Sequence, residues 1–228
     1  MLEKKLMTIY NLLYNAFGPR HWWPADTPFE VIIGAILTQN VSWKNVEKAI
    51  AILKATGAMT PEAMVSIPTD ILAVKIRSTG YYNMKAKKIK AFMDFLYSRY
   101  DGSLEKMFIT PLLVLRSQLL AVYGIGPETA DCILLYAGNM PIFVVDAYTK
   151  RIFSRLALVD ENDSYEAVQR LFMDNLPRDT QLYNEYHALI VAAGNMYCGK
   201  KKKRCELCPL GSICPSADST EKQDFILP

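Results

Sequence analysis

Apolar positions recur at three- and four-residue intervals along nearly the whole chain, the spacing of a helix with one face on a core. Leu6, Ile9, Leu12, Leu13 and Phe17 show it first, interleaved with Asn11, Asn15 and charges, and predict an amphipathic helix over residues 3–17. The same period predicts helices over 28–39, 42–56, 61–66, 69–77, 83–100, 111–121, 127–138, 146–157, 164–175 and 181–197. Start signals agree with these ranges. Ser42 and Thr69 read as N-caps, and Pro28, Pro61 and Pro127 fall at or near first helical positions, where a missing N–H costs nothing. Residues 142–145 alone look strand-like, and four residues are too few to found a sheet. The fold class is therefore all-α. No repeat of fixed period appears, and the tail after Cys214 lacks periodicity and is expected along the surface.

A chain of 228 residues can bury a core as one or two domains without disulfide help. Its 51% hydrophobic and 21% charged residues exclude disordered and fibrous classes. No apolar run approaches the roughly 20 residues that span a bilayer, and the first helix is too amphipathic for a signal peptide, so a cytoplasmic protein is expected. The net charge of +3 permits nucleic acid as a partner without demanding it, which leaves charge location to decide.

Charge is concentrated in two places. Lys85, Lys87, Lys88 and Lys90 make one basic stripe, and Lys200, Lys201, Lys202, Lys203 and Arg204 make an unbroken run of five cations. That run lies inside Cys198-x6-Cys205-x2-Cys208-x5-Cys214, four thiols within 17 residues. In a reducing compartment such crowding points to a metal rather than to disulfides. Zinc and an iron–sulfur cluster are both open on the donor count, although the first interval of six is long for a zinc knuckle. A basic run anchored by metal-bound sulfurs at both ends can meet phosphates without first being ordered.

The segment Gly124-Ile125-Gly126-Pro127 joins two helical patterns through a turn. Glycines there allow positive φ and close backbone approach, so N–H groups at a helix start can point at one phosphate; the alternative is a tight turn with a glycine C-cap. About twenty residues on, Asp146 follows the apolar run Phe143-Val144-Val145 and is placed to cap a helix. His187 reads as a packed structural histidine and Cys132 as a small buried hydrophobe.

Taken together, the hairpin, the Val145-Asp146 dyad and the cysteine cluster resemble the endonuclease III superfamily of helix-hairpin-helix (HhH-GPD) DNA glycosylases over nearly the whole chain. The resemblance implies a two-domain helical fold with a DNA-binding cleft between a six-helix barrel domain and an iron–sulfur domain. The first would span 21–132 with the hairpin at about 112–138, and the second 1–20 plus 133–228 with the cluster loop at 198–214. It implies Asp146 as the catalytic carboxylate and Cys198, Cys205, Cys208 and Cys214 as ligands of a [4Fe-4S] cluster. Leu37-Thr38-Gln39-Asn40 resembles the family's segment bearing a glutamine that fills the gap left by the flipped base, and 80–86, with Lys85, its second DNA-facing turn. Gly124, Ile125, Gly126, Lys201, Lys202 and Lys203 would hold the backbone of double-stranded DNA containing a damaged base, bound by a monomer.

The chain departs from the endonuclease III pattern at Glu128. Strand cleavage there uses a lysine two residues past the second hairpin glycine as a Schiff base, and Glu128 stands in that place. The resemblance thus implies a monofunctional enzyme of base excision repair, with Asp146 opposing the developing sugar cation or aligning the attacking water, and Glu128 assisting or favouring its helix start. Trp22, Trp23 and Trp43 fall near the Gln39 segment and resemble the 3-methyladenine glycosylase III branch, where aromatics sandwich the extruded base. Indole faces attract a cationic methylated purine by roughly 0.5 to 2 kcal/mol per contact. That branch's known example lacks the cluster cysteines, which this chain keeps. The competing readings are a glycosylase for mismatched or oxidised pyrimidines and a non-catalytic iron–sulfur DNA-binding protein.

Overall fold

The computed structural model of the protein describes residues 1–217, so the predicted surface course of the tail past that point lies outside the described residues. Those residues form α1 (Leu2–Phe17), α2 (Pro28–Leu37), α3 (Trp43–Ala55), α4 (Pro61–Ser66), α5 (Thr69–Lys75), α6 (Tyr82–Tyr100), α7 (Leu104–Phe108), α8 (Leu112–Leu120), α9 (Pro127–Cys132), α10 (Ala147–Arg155), α11 (Tyr165–Met173) and α12 (Thr180–Met196). Every helix that the apolar period predicts is present. The 127–138 pattern divides into α9 and a π-type turn, Ile133–Ala137. The period does not predict α7, which spans only five residues and offers Met107 as its buried side chain. Such a length is below two turns, so no stripe can develop.

Two predicted caps are corrected. Ser42 occupies the N-cap of α3 but its hydroxyl accepts no cap bond, and Thr69 lies inside α5, whose N-cap is Pro68. The capping side chains are Thr27, Thr60, Ser103, Asp146, Ser164 and Asp179, each accepting a backbone N–H three residues on. Residues 142–145 are buried but unpaired by any strand: Gln169 Nε2 donates to the Phe143 carbonyl at 2.6 Å, and the Val145 N–H donates to the Tyr165 hydroxyl at 3.3 Å. Side chains thus satisfy the buried backbone that a sheet would otherwise pair. Among the described residues there is no strand, only an isolated bridge between Cys198 and Lys203.

The chain divides into two compact units, Met1–Trp22 with Pro141 onward, and Trp23–Met140. In the first, α12 packs on α1 and α10 around an aromatic core. Phe143 stacks on Phe172 at 3.8 Å between ring centres, with the edges of Tyr183 and Tyr186 against Phe143. The Tyr186 hydroxyl donates to the Leu6 carbonyl at 2.7 Å, so a buried phenol is satisfied while tying α12 to α1. In the second unit α2 is buried almost all round and packs on α3, α6, α9 and the π-type turn. Its one charged residue, Glu30, is 5% exposed and is satisfied by Lys54 at 2.7 Å and the Asp26 N–H at 3.0 Å. No helix among the described residues is long and apolar enough to cross a membrane.

Candidate DNA interface and active site

The hairpin lies in the second unit, where α8 ends, the chain turns through Gly124-Ile125-Gly126, and α9 begins at Pro127. Gly124 takes φ +81°, and a Cβ there would overlap the stem of Lys88, so both the conformation and the close approach require glycine. Gly126 has φ −93°, an ordinary conformation, and a Cβ there would meet nothing within 4 Å. Its glycine leaves open space in front of the α9 start rather than enabling a positive φ. Ile125 is buried: its side chain is 4% exposed and its N–H donates to Val122 O at 3.1 Å within the turn. The reason is the turn's own packing, which spends Ile125 on the core.

Gln39 follows α2 and is docked onto this hairpin. Its Nε2 donates to the Gly124 carbonyl at 3.1 Å and to Thr129 Oγ1 at 2.9 Å, and its Oε1 accepts from the Lys88 ammonium. Sequence reasoning missed Lys88 and Thr129 as individuals, because they lie 49 and 90 residues from Gln39.

Lys85 is also corrected. The sequence groups it with Lys87, Lys88 and Lys90 in one basic stripe and with a DNA-facing turn, but the register of α6 puts it on the face of Ile89, Phe92 and Leu96, and it is 2% exposed. Its ammonium donates to the carbonyls of Leu37 at 2.9 Å and Thr79 at 2.7 Å, the ends of α2 and of a 3-10 turn. Burial first, and then the neighbouring Lys88 charge, lower its pKa to about 8. Lys87 keeps an exposed position on α6.

Trp23 and Trp43 meet edge to face, 5.2 Å apart at 83°, with Trp23 also tilted onto Tyr136. Perpendicular rings leave no parallel slot, so a base sandwich between these two is corrected. The edge-to-face contact is the favoured pairing of two ring quadrupoles. They line a cavity of about 220 Å³ together with Glu30, Gly34, Glu47 and Lys54. Trp22 is half-buried and belongs to the first unit. Glu128 is exposed in the first turn of α9.

In the first unit Asp146 caps α10. Its Oδ1 accepts from the Thr149 N–H at 2.7 Å and the Thr149 hydroxyl at 2.9 Å, while Oδ2 lies 3.7 Å from Nε2 of His187 on α12. The two helices come this close because Gly194 faces Tyr148, where a Cβ would overlap the ring. His187 is buried, and burial lowers its pKa against the opposing pull of Asp146. Neutral imidazole therefore stands beside the carboxylate at neutral pH.

The cysteine loop is half-buried at all four sulfurs. Burial first, then the nearby sulfurs of Cys198, Cys214 and Cys205, push the Cys208 thiol up. The four thus converge enough to feel one another. Yet among the described residues no three cysteine, histidine or acidic side chains stand ready to hold one ion. Two of the sulfurs are instead engaged by protein: Arg155 donates to Cys198 Sγ at 2.9 Å, and Cys214 Sγ donates to Arg155 O at 3.5 Å. Lys201 and Lys202 are exposed, whereas Lys203 is half-buried and its backbone bridges Cys198.

Comparison with known proteins places this geometry. The family model for HhH-GPD superfamily base excision DNA repair proteins matches residues 33–178. The chain is 46% identical to "Putative DNA repair glycosylase MJ1434" of Methanocaldococcus jannaschii, over 91% of this chain and 94% of that protein. An endonuclease III–DNA complex shares the fold with TM-score 0.84 at 23% identity, covering 97% of this chain and 99% of that one. The H. pylori 3-methyladenine DNA glycosylase bound to 1,N6-ethenoadenine superposes with TM-score 0.71 at 27% identity, over 83% of this chain and 95% of that one. A glycine hairpin, an aspartate capping the helix beyond it and a family match across both units converge on one conclusion: the chain belongs to the HhH-GPD superfamily of base excision DNA repair proteins.

Proposed function

We propose that the chain is a monofunctional DNA glycosylase that hydrolyses the N-glycosidic bond of an alkylated purine, such as 3-methyladenine, extruded from double-stranded DNA. The observation that carries this reading is the Asp146 carboxylate, fixed through one oxygen by Thr149, with the other beside a buried histidine that burial keeps neutral. A fixed negative charge of this kind opposes the positive charge that grows on the sugar as the base leaves, with no reorganisation at that moment. Neutral His187 does not cancel it. Glu128 offers no amine, so no imine with the opened sugar forms at that position. A methylated purine cation is already a good leaving group, which lessens the need for a strong general acid.

Support for the alkylpurine comes from the cavity lined by Trp23, Trp43, Glu30, Glu47 and Lys54: Lys54 already pairs with Glu30, which leaves the indole rings and Glu47 as the groups a cation would meet. The H. pylori relative, which acts on 3-methyladenine by its name, supports the same choice. The test is incubation with methylated duplex DNA and identification of released bases by mass. Release of 3-methyladenine is expected. Release of oxidised pyrimidines alone would move the chain to the endonuclease III-like reading, and release of nothing would make it a binding protein.

Cys198, Cys205, Cys208 and Cys214 would hold a [4Fe-4S] cluster, since four thiols at this spacing within 17 residues supply the donor set that such a cluster takes. Bound there, it would act structurally, stapling the basic loop. The purified protein is expected to be brown, with about four irons per chain; stoichiometric zinc without iron after anaerobic purification would overturn this.

A further inference from the structure

In the second unit the glutamine proposed as the wedge is not projecting: it is stowed. Gln39 donates to the Gly124 carbonyl and to Thr129 Oγ1, and it accepts from Lys88. Lys88 lies at the junction of two tasks. Its stem packs over the Cα of Gly124, which is why that position tolerates no Cβ, and its ammonium ends on Gln39 Oε1. The stem holds this cation against the hairpin turn at Gly124, on the same hairpin that leads into the α9 start. Its present partner is a neutral amide oxygen. A phosphate oxygen is the stronger acceptor for an ammonium, because that hydrogen bond is assisted by charge on both sides.

We propose that Lys88 is a positioning residue that couples backbone capture to release of Gln39: a DNA phosphate arriving at the hairpin takes the Lys88 ammonium from Gln39 Oε1. The amide, held now by its two donated bonds alone, is then more readily withdrawn from the hairpin into the duplex. This rests on the reading of the hairpin as a phosphate grip and of Gln39 as the wedge. It goes beyond them in making one side chain the link. Its consequence is order: the gap-filling group stays stowed until the backbone is held.

The test needs no base removal. Exchange of the Gln39 side-chain amide protons is followed by NMR on the ¹⁵N-labelled full chain, with Gln39→Ala used for assignment and exposed Gln181 as the internal reference. In the free wild-type chain the Gln39 protons are expected to exchange more slowly than those of Gln181, and to lose that protection when undamaged duplex saturates the protein. Lys88→Met should exchange about tenfold faster than wild type before any DNA is added, since one charge-assisted bond of three is gone. Its salt slope of binding should also fall by about 0.9. Lys88→Arg should restore both protection and its loss on duplex. Rapid exchange in the free wild type, protection that survives saturation, or unchanged protection in Lys88→Met would each overturn the proposal. A chain that binds no duplex at all would overturn the nucleic-acid reading beneath it, a result separable from the other three because stowing in the free protein would still be seen.

Discussion

Asp146 and Lys85 show how much of a residue's meaning depends on its surroundings. For Asp146, one oxygen is committed to the α10 cap and the other lies toward His187. Asp146→Asn keeps the shape and an acceptor for the cap, so thermal unfolding should change little. On the proposed reading base release should fall by at least about a hundredfold, since the charge that would oppose the developing sugar cation is removed; substantial residual release would mean that the carboxylate is only a cap. Lys85 titrates in an unusual window. Its folded-state pKa is about 8 against an ordinary 10.5, so between those values the unfolded chain holds a proton that the folded chain has released. Stability must then rise with pH across that window, because protons favour the unfolded state there. Urea unfolding of wild type and Lys85→Met at pH 8 and pH 10 is expected to show this gain in the wild type alone. Equal pH dependence in both would place the ammonium in solvent. That Lys85 is buried was not legible in a lysine-rich stretch, where each neighbour looks alike. Only the register of α6 against its core separates position 85 from position 87.

At the scale of elements, the hairpin and the cysteine loop were both legible, because short-range backbone chemistry writes them. Pro127 fixes a helix start, and Gly124 fixes a turn. The basic loop is subtler. The sequence offers Lys201, Lys202 and Lys203 as equals, but Lys203 is half-buried beside its bridge to Cys198. Replacing all three with Ala is therefore expected to flatten the salt dependence of DNA affinity by about two units, at about 0.9 for each of the two exposed lysines. An unchanged slope would set the run in solvent, away from phosphate. Cys205→Ser should reduce iron content and weaken DNA binding together, if sulfur anchors hold the loop. Arg155 belongs to the same element and was missed: it reaches Cys198 Sγ and the carbonyls of Gly199 and Lys200, 43 to 45 residues ahead in the chain. Its place four residues after Arg151, on one helical face, was the available signal.

For the molecule as a whole, the replacement of a lysine by Glu128 predicts chemistry rather than structure. Borohydride should trap no covalent adduct with DNA, and product strands should stay intact until treated with alkali; efficient trapping would mean that another lysine has taken the part of the amine. The sequence by itself determined the all-α class, nearly every helix, the hairpin, the aspartate cap and the cysteine spacing. Each of these is set by residues within a few positions of one another, through helical period, capping and turn chemistry. Tertiary structure alone decided that Lys85 is buried, that Gln39 is stowed under Lys88, that Glu30 pairs with Lys54 and that Trp23 meets Trp43 at right angles. It also set Asp146 against His187, 41 residues away. These contacts depend on which faces of distant helices pack together, and that choice is made by the fit of whole side-chain surfaces, for which no local period exists.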